Sequence, residues 1–140
     1  MPNNHFSFPI PHFSFRKYPL SLCCLLLIGV LSFAPFFPET PLNRVKFIDK
    51  WTHFIMYGGT CSVIWWEYLR QHAAIDYHKL LLWAVVGMII LGGLVELGQA
   101  YLTTTRSGEW LDFLADSVGV LLGTLVGLLQ NYCFFKRSAS

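Results

Sequence analysis

Long apolar runs separated by short polar patches dominate this chain. A helix that crosses a bilayer takes about 20 mainly apolar residues, and four runs qualify, at about residues 18–37, 51–69, 80–97 and 113–135. The pattern predicts an all-α protein, a four-helix transmembrane bundle of up-down topology that occupies residues 18–135 as one domain. Residues 1–17 mix Pro, Phe, Ser and Asn without period and read as a loose amino-terminal tail, and 136–140 read as a short second tail. Between the first two runs, Pro38-Glu39-Thr40-Pro41-Leu42-Asn43 carries the residues of a turn. Trp65, Trp66 and Tyr68 beside Arg70 are expected to form an interfacial aromatic belt that closes the second span. Arg16 and Lys17 ahead of an apolar run, with Ser32-Phe33-Ala34 after it, have the outline of a cleavable signal. Pro35 and the apolar residues up to Phe37 extend the run to a length that suits an uncleaved span better.

Composition supports the membrane reading. Hydrophobic residues make up 54% of the 140 positions and charged residues 13%, about half the usual charged share. The net charge of +2 comes with no basic stripe, which argues against a nucleic-acid partner. Cys23, Cys24, Cys61 and Cys133 fall in apolar stretches without metal-ligand spacing. Buried apolar cysteines are expected, with neither a disulfide framework nor a metal site.

The bias of Lys and Arg orients the spans. Arg16, Lys17, Arg70, Lys79, Lys136 and Arg137 lie on the side of both tails and loop two, and Arg44, Lys46, Lys50 and Arg106 lie in loops one and three. Both termini are therefore expected in the cytoplasm, in a multi-pass protein of the inner membrane. In any four-span chain loops one and three share a side, so two polar clusters meet there whatever the orientation.

Asp49, Lys50, His53 and Tyr57 form the first cluster. Asp49 and His53 are four residues apart and share a helix face, with Tyr57 a turn further on; Asp49 is expected to orient the His53 ring. Glu96, Gln99, Arg106, Asp112 and Asp116 form the second. Arg106 offers a bidentate fork for a carboxylate or an anion. Asp112 and Asp116 share a face in the first turns of the last helix and want Arg106, Lys50, a proton or a cation between them. A ligand pocket and a salt-bridge network that caps the helices both remain open. Glu67 lies at the far end of the second helix, where it is expected to be solvated beside Arg70. Gly119, Gly123 and Gly127 make a small-x-x-x-small ladder; it is expected to pack the fourth helix on the second or third, with a homodimer contact as the alternative.

On these residues the chain resembles the VanZ-like family of small bacterial membrane proteins. The resemblance rests on Asp49-Lys50-x-x-His53-x-x-x-Tyr57, on Glu96-x-x-Gln99, and on Arg106 followed by Asp112-x-x-x-Asp116-x-x-Gly119-x-x-x-Gly123, across about residues 40–130. The family pattern usually has Asn where this chain has Asp116, so a protonated Asp116 would stand in for the amide donor. The resemblance implies a cell-envelope role, since the family's namesake is associated with low-level teicoplanin resistance; it implies no mechanism.

Three functions follow as expectations. The first is a non-enzymatic envelope protein that binds an anionic, lipid-linked or glycan ligand, with Arg106 and Lys50 on its phosphate or carboxylate. The second is a membrane enzyme in which His53 or Glu96 acts as general base and Arg106 stabilises negative charge, one version holding a divalent cation on Asp112, Asp116 and Glu96. The third is an assembly partner braced by its polar network. No nucleophile elbow, phosphate-cradling glycine loop or H-E-x-x-H pattern occurs, and no cofactor is expected. Membrane lipids are the partners the composition demands.

Overall fold

The computed structural model describes residues 15–34, 48–104 and 108–138 of the chain, and every regular element among them is helical. A single 3-10 turn at Phe15–Lys17 precedes four helices: α1, Pro19–Phe33; α2, Ile48–Gln71; α3, Tyr77–Leu102; and α4, Trp110–Ser138.

Proline at the first position of α1 presets the helical φ and spares a backbone donor that would be orphaned there. The helix stops at Ala34, whose extended backbone (φ −69°, ψ 124°) is the state a residue takes ahead of a proline. Its first turn has no cap of its own. Glu67 of α2 supplies one, accepting the backbone N–H groups of Leu20 and Ser21 at 2.9 Å each and the Ser21 hydroxyl at 2.5 Å. Glu67 is thus buried, at 4% exposure, and the expectation of a solvated carboxylate beside Arg70 is corrected. The orphan donors of a helix start are what draw it inward.

On α2 the buried side chains His53, Tyr57, Cys61 and Trp65 recur every fourth residue and form one stripe. Trp65 lies in the core at 0% exposure, so it is not part of an interfacial belt. Trp66 sits beneath the Arg70 guanidinium instead, 4.6 Å from ring centroid to carbon. Cys61 is buried as expected, whereas Cys23 and Cys133 are exposed on outward helix faces.

Helix α3 starts on Asp76, whose carboxylate caps the Lys79 N–H at 3.2 Å. Residues Leu82–Val86 make a π turn, with the Gly87 N–H reaching back to the Leu82 carbonyl. Its buried residues Leu80, Ala84, Met88 and Gly92 are spaced by four. A straight 3.6-residue helix would rotate such a row off its partner, and one wider turn offsets that drift.

The contacts set the directions. Cys61 lies against Ala84 and His53 against Glu96, so α2 and α3 run antiparallel. Gly93 abuts Phe113, and Tyr77 meets Asn131, so α3 and α4 also run antiparallel. Between α2 and α4, which run parallel and form the most extensive pairing, glycines let backbones touch. A methyl group at Gly119 would strike the Phe54 carbonyl oxygen, one at Gly123 the Gly58 carbonyl oxygen, and one at Gly127 the Trp65 ring. The ladder therefore faces α2 within this chain.

Two helices, Tyr77–Leu102 and Trp110–Phe134, are long and apolar enough to cross a membrane. Helix α1 is apolar but has 15 residues, about 22 Å of rise against a hydrocarbon core of about 30 Å. Helix α2 is long enough at 24 residues but carries Asp49, Lys50, His53, Glu67 and Arg70. Outward faces are apolar too, as Val30, Ile90, Leu94, Leu125 and Leu129 show.

Candidate functional site

The first turns of α2 and α4 and the last turns of α3 meet at one end of the molecule, and they bring the two sequence clusters together. His53 is the centre. Its Nδ1 lies 3.1 Å from Asp116 Oδ1 and 3.7 Å from Glu96 Oε1. All three side chains are nearly or wholly buried, at 2%, 0% and 7% exposure. The partner of His53 is therefore Asp116, from a helix 63 residues away, and not Asp49 as the i, i+4 spacing suggested. Asp49 stays exposed on the flank, with a carboxylate oxygen within 4.8 Å of His53 and Asp112.

Nearer the rim, Lys50 Nζ bridges Glu109 Oε2 at 2.8 Å and Asp112 Oδ1 at 3.1 Å. This pairing neutralises the buried Asp112, whose side chain is 4% exposed, and leaves half-exposed Glu109 as its outer arm. Glu109 also donates its backbone N–H to Glu96 Oε2 at 2.9 Å. Sequence reasoning passed over Glu109. The signal was Gly108 before it: a Cβ there would strike the Glu96 carbonyl oxygen, so only glycine lets the chain run this close to α3.

Tyr57 lies one turn below His53 with its ring nearly parallel, 6.4 Å between centroids and 5° between planes. Gly92 lets α3 pack directly on this floor, because a Cβ there would meet Asp116 Oδ2 at 3.0 Å and Tyr57 Cε1 at 3.4 Å. Gln99 does not join the cluster. Its amide donates to the Ser32 carbonyl at 2.9 Å and ties α3 to the end of α1. Arg106 lies outside the described residues.

Five carboxyl groups (Asp49 on the flank, Glu96, Glu109, Asp112 and Asp116) thus surround one lysine and one histidine among the described residues. The Tyr57 hydroxyl, Glu96 Oε1 and Asp116 Oδ2 are buried without a hydrogen-bond partner. Buried polar atoms are nearly always paired. Ser32 Oγ, Trp65 Nε1, Gln130 Oε1 and Asn131 Oδ1 are orphaned elsewhere among the described residues, and Asp112 Oδ1 has only its ion pair with Lys50. At the cluster the orphans gather around one histidine. Chemically, the arrangement has spare acceptors for a hydroxyl, a proton or a cation, and its one described lysine is already engaged by carboxylates.

A separate cavity of about 690 Å³ lies between α1, α2 and α3, lined by Tyr18, Leu25, Ile64, Tyr68, Trp83 and Met88 among others, with Lys17, His72, Asp76 and Lys79 towards its other end. None of the cluster residues lines it. In comparisons with known proteins, no family model, no curated protein and no solved structure matches the chain.

Proposed function

We propose that this chain is a VanZ-like, non-enzymatic membrane protein of the bacterial envelope whose buried polar cluster binds a lipid-linked glycan. In this reading all four helices cross the inner membrane, both termini lie in the cytoplasm, and the cluster opens outward. Apolar outward faces on α1, α3 and α4 support a lipid surround, since many large apolar side chains there, Val30, Leu94 and Leu129 among them, are exposed.

The observation that carries binding over bracing is the set of unpartnered atoms: the Tyr57 hydroxyl, Glu96 Oε1 and Asp116 Oδ2. A network selected only to brace helices gains most by satisfying every member, because a half-satisfied buried network is worse than an apolar one. Free carboxylate oxygens suit the hydroxyl donors of a sugar. Lys50 is held by Glu109 and Asp112, so the phosphate of the lipid carrier would fall to Arg106, which lies between α3 and α4 in the sequence. The bracing alternative draws on the direct pairs from Lys50 to Glu109 and Asp112.

Glu96→Gln and Arg106→Ala separate the two. Under the binding reading both variants fold in detergent and lose retention of polyprenyl-phosphate-linked glycans in nanodiscs, and cells carrying them lose any change in glycopeptide tolerance the wild type confers. Unfolding or degradation of both variants would establish the brace instead, and a folded wild type that retains no lipid-linked glycan would sink the proposal.

A further inference from the structure

We infer that His53, Glu96 and Asp116 form a binding site for one divalent first-row transition cation. One ligand atom from each lies within 4.8 Å of the other two, and all three residues are buried. The two separations from His53 Nδ1, 3.1 Å to Asp116 and 3.7 Å to Glu96, lie in the range of donors that share an ion. Metal–ligand bonds of about 2.1 Å put neighbouring donors roughly 3.0 to 4.2 Å apart, from cis to trans placement.

An acidic cluster alone would not justify an ion. Here Glu96 is 93% buried, by its 7% exposure, and the oxygen it turns towards His53 has no hydrogen-bond partner. Its other oxygen is held by the Glu109 N–H at 2.9 Å, which fixes the direction in which the free one points. Carboxylates that ligate metals are usually held in place by a hydrogen bond to the oxygen that does not ligate, as the Glu109 N–H holds Glu96. Asp116 turns Oδ1 towards His53 while its other oxygen packs against Gly92, and Lys50 is committed to Asp112 and Glu109 rather than to this inner pair. Binding requires His53 neutral at Nδ1, its lone pair replacing the hydrogen bond to Asp116 with a bond to the ion. One imidazole with two carboxylates suits Mn²⁺, Fe²⁺ or Zn²⁺ better than Ca²⁺, which prefers oxygen throughout. The inference deepens the binding proposal, because a cation would also give the acidic cluster an attraction for phosphate. It rests on the cluster's geometry alone and is tested without any lipid or glycan.

The experiment uses the full chain, stripped with chelator and purified in detergent, with Mn²⁺ alone as probe. We expect saturable binding of one Mn²⁺ per chain, displaced by Zn²⁺ as the Irving–Williams order requires, and a pulsed-EPR coupling to one histidine nitrogen. Glu96→Gln and Asp116→Asn should each weaken binding at least tenfold while circular dichroism stays helical, and Asp49→Asn should leave it unchanged. The alternative trio Asp49, His53 and Asp112 shares the histidine, so loss in Asp49→Asn with retention in Glu96→Gln would overturn the assignment. Absence of saturable binding, or binding without histidine coupling, would overturn it as well. If Glu96→Gln or Asp116→Asn fails to fold, Asp49→Asn decides: one-to-one binding with histidine coupling retained in that variant supports the inner trio, and its loss overturns the assignment. A chain that binds no ion leaves the glycan proposal to its own test.

Discussion

The carboxylate of Glu67 closes the open end of α1, taking the Ser21 hydroxyl at 2.5 Å and the Leu20 and Ser21 N–H groups at 2.9 Å. Helix α1 has no side-chain cap of its own, so this one residue satisfies donors that would otherwise lie unpaired beside apolar surface. Glu67→Ala should destabilise the fold by about 1 to 3 kcal/mol, the usual cost of leaving buried donors unmatched. Ser21→Ala removes a single hydroxyl donor and should cost about 1 kcal/mol. Glu67→Gln, which keeps an accepting oxygen, should fall between the wild type and Glu67→Ala. Unfolding in mixed detergent, followed by circular dichroism, ranks the three; equal midpoints for wild type and Glu67→Ala would refute the cap.

Glycine positions on α2 and α4 predict opposite outcomes for the same change. At Gly119 and Gly123 an added methyl meets backbone carbonyls of the facing helix, which cannot rotate away. Each Gly→Ala there should cost roughly 1 to 3 kcal/mol, as overpacking does. Gly59, also in α2, has nothing within 4 Å of its would-be Cβ. Gly59→Ala should therefore stabilise by roughly 0.5 to 1 kcal/mol through helix propensity alone. Thermal midpoints of the three single variants measure this directly, and a destabilised Gly59→Ala would show that the α2 surface is packed against something else.

These two sets of residues mark where sequence reading succeeds and where it stops. Alternating apolar runs with i, i+4 polar pairs were enough to bring His53, Glu96, Asp112 and Asp116 to one end, because spacing decides which helix end a residue occupies. Pair choice was not legible. Whether His53 takes Asp49 or Asp116 depends on the rotation of α4 about its axis, which the glycine contacts with α2 set from a distance. Glu67 was misplaced because Arg70 is close in sequence, while the donors that claim it lie 46 and 47 residues away. Trp65 was legible after all: it continues the Tyr57, Cys61 stripe, and that period outweighs its interface-like neighbours.

Lys50 should matter more than its position near the rim suggests. It neutralises Asp112, whose side chain is 4% exposed, and also pairs with the half-exposed Glu109. Lys50→Met strands a buried carboxylate, and the loss should lie towards the lower end of the roughly 3 to 5 kcal/mol seen when a buried pair is broken. Glu109→Gln removes only the outer arm and keeps the backbone N–H that holds Glu96; it should cost no more than about 1 kcal/mol. Comparable losses in the two variants, read from denaturation midpoints, would mean that Lys50 acts mainly through Glu109.

The start of α3 should loosen in acid. Asp76 caps the Lys79 N–H and pairs with the Lys79 ammonium at 3.2 Å, and these contacts, the backbone hydrogen bond first, hold its carboxyl below the ordinary value of 3.8. A carboxylate with a lowered pKa in the folded state adds stability above its unfolded value, and that stability disappears as pH falls through the folded one. The cap is therefore intact at neutral pH and fails only below about pH 4, in the range where aspartate protonates. Hydrogen exchange of the amides of residues 77–80, corrected for intrinsic rates, should show protection at pH 6 that is reduced at pH 3. In Asp76→Ala the same amides should exchange fast at both values. Asp76→Asn, which keeps a capping oxygen without the titration, should hold intermediate protection that does not change with pH; a wild-type profile flat from pH 6 to pH 3 would show that the carboxylate does not govern this helix end.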